Sequence, residues 1–310
     1  MFDNIISLFV MASLGVCFQL KRPGNINPNT ARHVINTSVI KFFFPALCFK
    51  AISAADINRN ILLLPLSAII TIFLSLLISF VTYTIIEKLT VLTKKEKGVL
   101  ILTSSFGNIT FLGLLLLTDL YGQNAIEYVL IYDLLAVNPL IWLIGPTIAS
   151  YYGSGEKPAI KKTLKTVLEL PPVWALFAGF IANFSGLRLP NFLTKTLDLI
   201  SMPIVPLMIF SIGLTLAIPK LKYLAISIPA ILTKLCLVPL IAFGIALLLG
   251  INGLILKLTV MEAAMPTMIL TLIISSQYKL DHNLNAFVIL STTIISIITL
   301  PITAWLIQRY

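Results

Sequence analysis

Charge is what this chain has least of. Asp, Glu, Lys and Arg make up 11% of its 310 residues and only 12 of them are acidic, whereas 58% are hydrophobic and the mean hydropathy is +1.00. A soluble domain has about a quarter of its residues charged, so water is not the main solvent of this protein. Cysteine is scarce too. Cys17, Cys48 and Cys236 stand apart in apolar runs, which excludes a disulfide framework or a cysteine metal cluster and predicts thiols buried as small hydrophobes. The two histidines, His33 and His282, lie alone in or near loops. No H-E-x-x-H, G-x-S-x-G or P-loop sequence occurs, and the acids are not paired as an intramembrane aspartyl protease would need. The longest polar connection runs only from Tyr151 to Thr166, too short for a soluble catalytic or nucleotide-binding domain. Neither an enzyme nor a cofactor is expected.

Apolar runs fill the chain instead. About 20 predominantly apolar residues span a bilayer, and ten such runs are read: 5–20, 34–55, 61–86, 99–118, 125–150, 170–185, 197–218, 223–249, 254–276 and 284–307. The net charge of +10 would suggest nucleic acid in a soluble protein, but its placement points to the lipid bilayer. Lys21, Arg22, Arg32, Lys88, Lys94, Lys95, Lys97, Lys157, Lys161, Lys162, Lys165, Lys220, Lys222 and Lys279 follow the odd-numbered runs, while the opposite loops hold Arg59, Arg188, Lys195, Lys257 and Arg309. The positive-inside rule then makes the first set cytoplasmic and puts both termini on the outer side. Asp3 precedes the first run and Lys21-Arg22 follows it, the reverse of a secretory signal, so that run is expected to be retained.

The two halves repeat. Pro45-Ala46-Leu47-Cys48-Phe49 answers Pro206-Leu207-Met208-Ile209-Phe210, with the prolines offset by 161, and Asn138-Pro139 answers Leu300-Pro301 with prolines offset by 162. Gly107 and Pro266, which interrupt the fourth and ninth runs, are offset by 159. Each unit has five spans, an odd number, so the second must enter the membrane upside down. The expected fold is an all-α polytopic membrane protein of ten transmembrane helices, in two inverted five-helix repeats with broken crossover helices 4 and 9. Residues 1–150 form the first repeat, 151–163 a cytoplasmic linker and 164–310 the second repeat.

The breaks carry the chemistry. Gly107 is costly in a helix interior and Asn108 competes for backbone hydrogen bonds; Pro266 removes an amide donor; Thr110 and Thr267 add hydroxyls. A helix interrupted at membrane depth frees backbone groups that lipid cannot satisfy, and matched breaks in two repeats mark a carrier's substrate site. The half-helix starts, near Ile109 to Phe111 and Thr267 to Ile269, bring free N–H groups and partial positive charge. They are expected to bind a carboxylate without a full positive charge in lipid. Asp133 and Glu262 sit deep in apolar runs, where ionisable groups face a cavity or a partner. Glu262, one turn before Pro266, is a candidate for coupling to a proton or to sodium, and Asp133 is another. Lys41 and Lys234 are buried cations of the same kind, whereas Lys50 is expected to snorkel. A channel is the competing class, since channels also use half-helices.

As a set, Pro45-Ala46-Leu47-Cys48-Phe49, Gly107-Asn108-Ile109-Thr110-Phe111-Leu112-Gly113, Asn138-Pro139-Leu140-Ile141-Trp142, Ala263-Ala264-Met265-Pro266 and Leu300-Pro301-Ile302-Thr303 resemble the auxin efflux carrier family, bacterial transporters related to the plant PIN-FORMED proteins. The resemblance covers essentially the whole chain. It implies a scaffold of helices 1, 2, 6 and 7 that forms a homodimer, and a transport domain of helices 3–5 and 8–10 moving as an elevator in the bacterial inner membrane. It also implies a small organic anion, malate or another carboxylate, bound by Asn108 and the backbone around Gly107 and Pro266, with Asn138 as a polar neighbour. Plant relatives have proline where Gly107 stands, and family members often have Gly-x-Pro where this chain reads Gly113-Leu114-Leu115, which implies a softer first break. Cation-coupled import, as in the bile acid symporters, is the alternative to efflux.

Overall fold

The computed structural model describes residues 2–55, 57, 59–154, 168–187, 189–214 and 221–309. Lys157, Lys161, Lys162, Lys165, Arg188 and Lys220 lie outside the described residues, as does the expected linker from residue 155 on. Among the described residues every named element is helical: α1 (Phe2–Lys21), α2 (Pro28–Ser53), α3 (Arg59–Leu89), α4 (Lys94–Ser105), α5 (109–121), α6 (Ala125–Ser154), α7 (Pro171–Phe184), α8 (Asn191–Gly213), α9 (Leu224–Leu248), α10 (Gly253–Ala263), α11 (Leu270–Gln277) and α12 (His282–Ile307). Six of these, α2, α3, α6, α8, α9 and α12, are long and apolar enough to cross a membrane. Shorter apolar helices cover Val10–Lys21 and Pro171–Phe184. The fourth and ninth apolar runs are each two short halves, α4 with α5 and α10 with α11.

α3 shows why the sequence folds this way in lipid. Its outer face shows Phe73, Leu77, Phe80 and Ile85, all exposed, as a bilayer-facing surface should be. Ser67, Thr71, Ser75 and Ser79, spaced every fourth position, are buried on the inner face, where small hydroxyl residues let membrane helices approach closely. Thr93 starts α4 with a capping box, accepting from the Glu96 amide at 3.2 Å while the Glu96 carboxylate accepts from the Thr93 amide at 2.8 Å. Cysteine burial is a correction. Only Cys48 is buried, and Cys17 and Cys236 are exposed, because a thiol facing hydrocarbon carries no penalty.

The chain divides into two compact units. The first comprises residues 1–57, 114–130 and 165–216, and therefore α1, α2, α7 and α8 with most of α5 and the first residues of α6. In it α1 packs on α8 and α7 on α2. A Cβ on Gly15 would stand 2.2 Å from the Phe210 carbonyl oxygen and one on Gly213 2.0 Å from that of Ala12, so only glycine lets these backbones meet. A Cβ on Gly179 would come within 2.9 Å of the Ile52 side chain and 3.2 Å of the Phe49 carbonyl. The Asn183 amide donates to the carbonyls of Ile52, Ser53 and Ala55, capping the end of α2. Lys50 does not simply snorkel, since it is ion-paired with Asp198. Lys41 is exposed rather than deep.

Replacing Gly15 by Leu should lower the thermal midpoint of detergent-solubilised protein by about 5 °C, since overpacking costs about 1–3 kcal/mol. The same change at Gly244, which has nothing within 4 Å of its Cβ position, should leave it unmoved.

The second unit comprises 58–113, 131–164 and 217–310. It holds α3, α4, the first turn of α5, most of α6, and α9 to α12. In it α3 packs against α4, α9, α10 and a π-helical turn of α6 at Asp133–Val137. Every residue expected at the site lies here.

Candidate functional site

Three consecutive hydroxyls weaken the end of α4 by bonding back to its own carbonyls: Thr103 to Val99 at 2.9 Å, Ser104 to Leu100 at 2.5 Å and Ser105 to Ile101 at 3.1 Å. Such back-bonding offers the backbone an alternative to the helix ladder. Phe106 then turns extended, with φ −103° and ψ 124°, and Gly107 and Asn108 follow before the π-helical turn at Ile109–Gly113. In the other break α10 ends at Ala263 and the chain passes through Met265 to Met268 before α11. Pro266 has no amide hydrogen with which to continue the helix.

The two breaks meet. Gly107 and Thr267 form an antiparallel β-bridge, in which the Asn108 amide donates to the Pro266 carbonyl at 2.7 Å and the Met268 amide donates to the Phe106 carbonyl at 2.9 Å. The sequence offset pairs Gly107 with Pro266; the bridge pairs it with Thr267. In this pairing the residues after the bridging pair, Asn108 and Met268, donate, and Pro266 contributes its carbonyl.

The groups around the bridge are capped by side chains. The Thr267 amide donates to the Thr292 hydroxyl at 3.2 Å, and the Thr267 hydroxyl donates to the Thr103 carbonyl at 2.8 Å. Ser75 on α3 donates to the Ser104 carbonyl at 3.3 Å. Lys234 on α9 donates to the Ala263 carbonyl at 2.6 Å, and its ammonium lies 3.2 Å from where a Gly107 Cβ would be. The sequence expected these half-helix starts to offer free amides and no full positive charge. Of those starts, the amides of Ile109, Thr267 and Met268 are engaged, and the buried amine of Lys234 stands beside the bridge.

The remaining predicted residues gather nearby in the same unit. Thr110 donates to the Asp133 carboxylate, and Asn138 donates to the Thr110 hydroxyl at 3.5 Å. Asn108, Asp133, Asn138, Thr267 and Glu262 are all buried, Glu262 completely. Glu262 and Asp133 lie within electrostatic reach of each other. Four buried oxygens here have no hydrogen-bond partner among the described residues: Asn108 Oδ1, Asp133 Oδ1 and both carboxylate oxygens of Glu262. All four are acceptors. Buried acceptors are costly to leave unmade, so the chemistry they call for is a proton, a cation or a ligand donor. With Asp133 and Glu262 ionised against Lys234, the cluster carries one net negative charge, and one proton makes it neutral. Lys234 is the residue whose placement the sequence did not reveal, although its offset from Ser75 is the same as that of Ala263 from Ser104.

Residues 1–304 match the family model for membrane transport proteins. The chain is 29% identical over 279 residues to an uncharacterized transporter of Methanocaldococcus jannaschii, covering 88% of this chain and 89% of that protein. It is 28% identical over 304 residues to an uncharacterized transporter of Methanothermobacter thermautotrophicus, covering 97% and 96%. A candidate malonate transporter of Rhizobium meliloti is 26% identical over 291 residues, covering 91% and 89%.

Proposed function

The chain belongs to the membrane transport protein family, and from that premise we propose that it is a secondary active carrier of small organic anions that binds them at the paired break. It is an integral membrane protein and a transporter, not an enzyme. The proposed architecture is ten spans in two inverted repeats: α1, α2, α3, α4 with α5, and α6, followed by α7, α8, α9, α10 with α11, and α12.

The reciprocal bridge is the observation that carries this reading. Pro266 follows Phe106 at the same offset at which Met268 follows Asn108. Any antiparallel bridge exchanges its two hydrogen bonds in this way; what supports the repeat is that the offset of this one, 160, falls beside the 161 and 162 of the paired prolines. Two further pairs agree. The Ser75–Ser104 bond becomes the Lys234–Ala263 bond under a shift smaller by one, and the approach of Gly15 to the Phe210 carbonyl is echoed by that of Gly179 to the Phe49 carbonyl, Phe49 and Phe210 being matched positions of the two repeats.

In this proposal the unit holding α1, α2, α7 and α8 is a dimerising scaffold, the unit with the bridge is the elevator, and the protein sits in a bacterial inner membrane with both termini outside. Dicarboxylates such as malonate, named for the Rhizobium relative, and malate fit a site with one ammonium and carriers for one proton. A dianion moving with one proton exports one negative charge, which an inside-negative potential of 100 mV favours by about 2.3 kcal/mol. The unpartnered acceptors favour a second reading, cation-coupled import. The two differ in sign, because inside-negative potential accelerates efflux in the first and an inward proton or sodium gradient drives accumulation in the second.

The test is radiolabelled malonate and malate flux in proteoliposomes. Saturable flux with counterflow is expected, and Asn108→Ala and Pro266→Ala should each abolish it while the protein stays folded. Alanine at 266 restores an amide that competes for the Glu262 carbonyl, which now accepts from Met265 at 3.2 Å, so α10 can grow into the bridge. Single-channel conductance, or normal flux in both variants, would remove the crossover site.

A further inference from the structure

A cavity away from the bridge, in the same unit, has a different chemistry. It encloses about 840 Å³ between α3, the start of α4 and the end of α6, and none of the bridge residues lines it. Along α3 its wall is Phe73, Leu77, Phe80 and Thr84, one face of the helix and about 16 Å long at 1.5 Å per residue. Phe73, Leu77 and Phe80 are also exposed, so the cavity opens sideways into the bilayer. Its far end is charged. Lys97, buried, is bonded to the Glu87 carboxylate at 2.6 Å, and its ammonium lies 5.4 Å from the Phe80 ring and 5.9 Å from the Tyr152 ring. The floor is fixed, because Gly98 packs so close to Tyr152 that a Cβ would stand 2.6 Å away. Lys94 completes the rim, exposed and without a carboxylate partner among the described residues. Lys88 and Lys95 are exposed beside it.

We propose that this groove binds one anionic phospholipid, its phosphate at Lys94 and an acyl chain along Phe73, Leu77 and Phe80. The polarity of the groove matches that of the ligand, apolar where the helix faces hydrocarbon and basic where α3 gives way to α4. The lining cations exceed the lining acid by one, since Glu87 already neutralises Lys97, and the uncompensated charge is the one at the rim. Basic pockets between membrane helices bind anionic headgroups in this way. The proposal stands apart from the transport reading, because it needs only that the chain lie in a membrane.

Native mass spectrometry of the full chain in detergent, titrated with phosphatidylglycerol, tests it. One phosphatidylglycerol should bind in preference to phosphatidylcholine by at least fivefold. Lys94→Gln, a surface change, should weaken that binding about fivefold, as expected for one basic residue worth about 1 kcal/mol near an anionic headgroup, and Leu77→Trp, which fills the groove, should remove it. Equal binding of phosphatidylcholine, equal competition by free inorganic phosphate or laurate, or undiminished phosphatidylglycerol binding in Leu77→Trp would each overturn the proposal.

Discussion

Glu262→Gln should cut the response of carboxylate flux to an imposed proton gradient from about tenfold to nearly none, while substrate exchange stays within about threefold of the parent. Glutamine has the shape of the acid and the charge of its protonated form. Glu262 lies fully buried one turn before Pro266, with neither carboxylate oxygen bonded among the described residues. An ionised carboxylate held that way is expensive, and a proton arriving with the substrate removes the cost. A carrier with glutamine there is fixed in the loaded-like charge state, so it can shuttle substrate both ways but moves no proton. One pH unit is worth about 1.4 kcal/mol per proton, a tenfold change in the accumulation ratio. The measurement is efflux from proteoliposomes made acid inside, with counterflow at equal pH as the control. A full gradient response in the variant would take the proton away from Glu262 and leave Asp133, whose Oδ1 is also unpartnered, as the remaining acid to examine by Asp133→Asn.

The sequence made the two breaks legible because Gly107 and Pro266 are strong local signals, costly or impossible inside a helix and misplaced in runs that otherwise span lipid. Asp133 and Glu262 were legible for a similar reason, since any acid in such a run stands out. What could not be read was how the breaks satisfy each other. A one-residue difference in alignment decides whether Pro266 or Thr267 faces Gly107, and no local pattern in the sequence selects Thr267. The Thr267 hydroxyl reaches Thr103, in the other half of the chain, a contact no local pattern encodes. Lys234 looked like one of several membrane lysines, yet Lys41 is exposed, Lys50 pairs with Asp198 and Lys234 alone among the three reaches the bridge. Its signal was the repeat itself: at the place where the first half has Ser75, the second has a cation.

That asymmetry makes Lys234 the substitution that separates the effect of charge on anion handling from that of a hydrogen bond. Lys234→Met keeps an unbranched apolar stem in the same space but leaves the Ala263 carbonyl without its donor and takes the net charge of the cluster from one negative to two. Loss of a charged hydrogen bond costs about 1.5–3 kcal/mol. A unit charge about 6 Å from a bound carboxylate, at an effective dielectric constant of about 20, contributes roughly 3 kcal/mol. Either figure alone predicts a loss of ten- to two-hundredfold, and we expect carboxylate flux in Lys234→Met to fall about a hundredfold. Ser75→Ala removes only a neutral hydrogen bond of 3.3 Å from the equivalent carbonyl, so its flux should fall no more than about tenfold. Melting curves for both variants separate the two roles of the ammonium. If Lys234→Met melts with the parent and transports a hundredfold more slowly, the charge acts on the substrate; if it transports at the parental rate, the ammonium is a helix cap alone, and the anion must find its positive charge elsewhere.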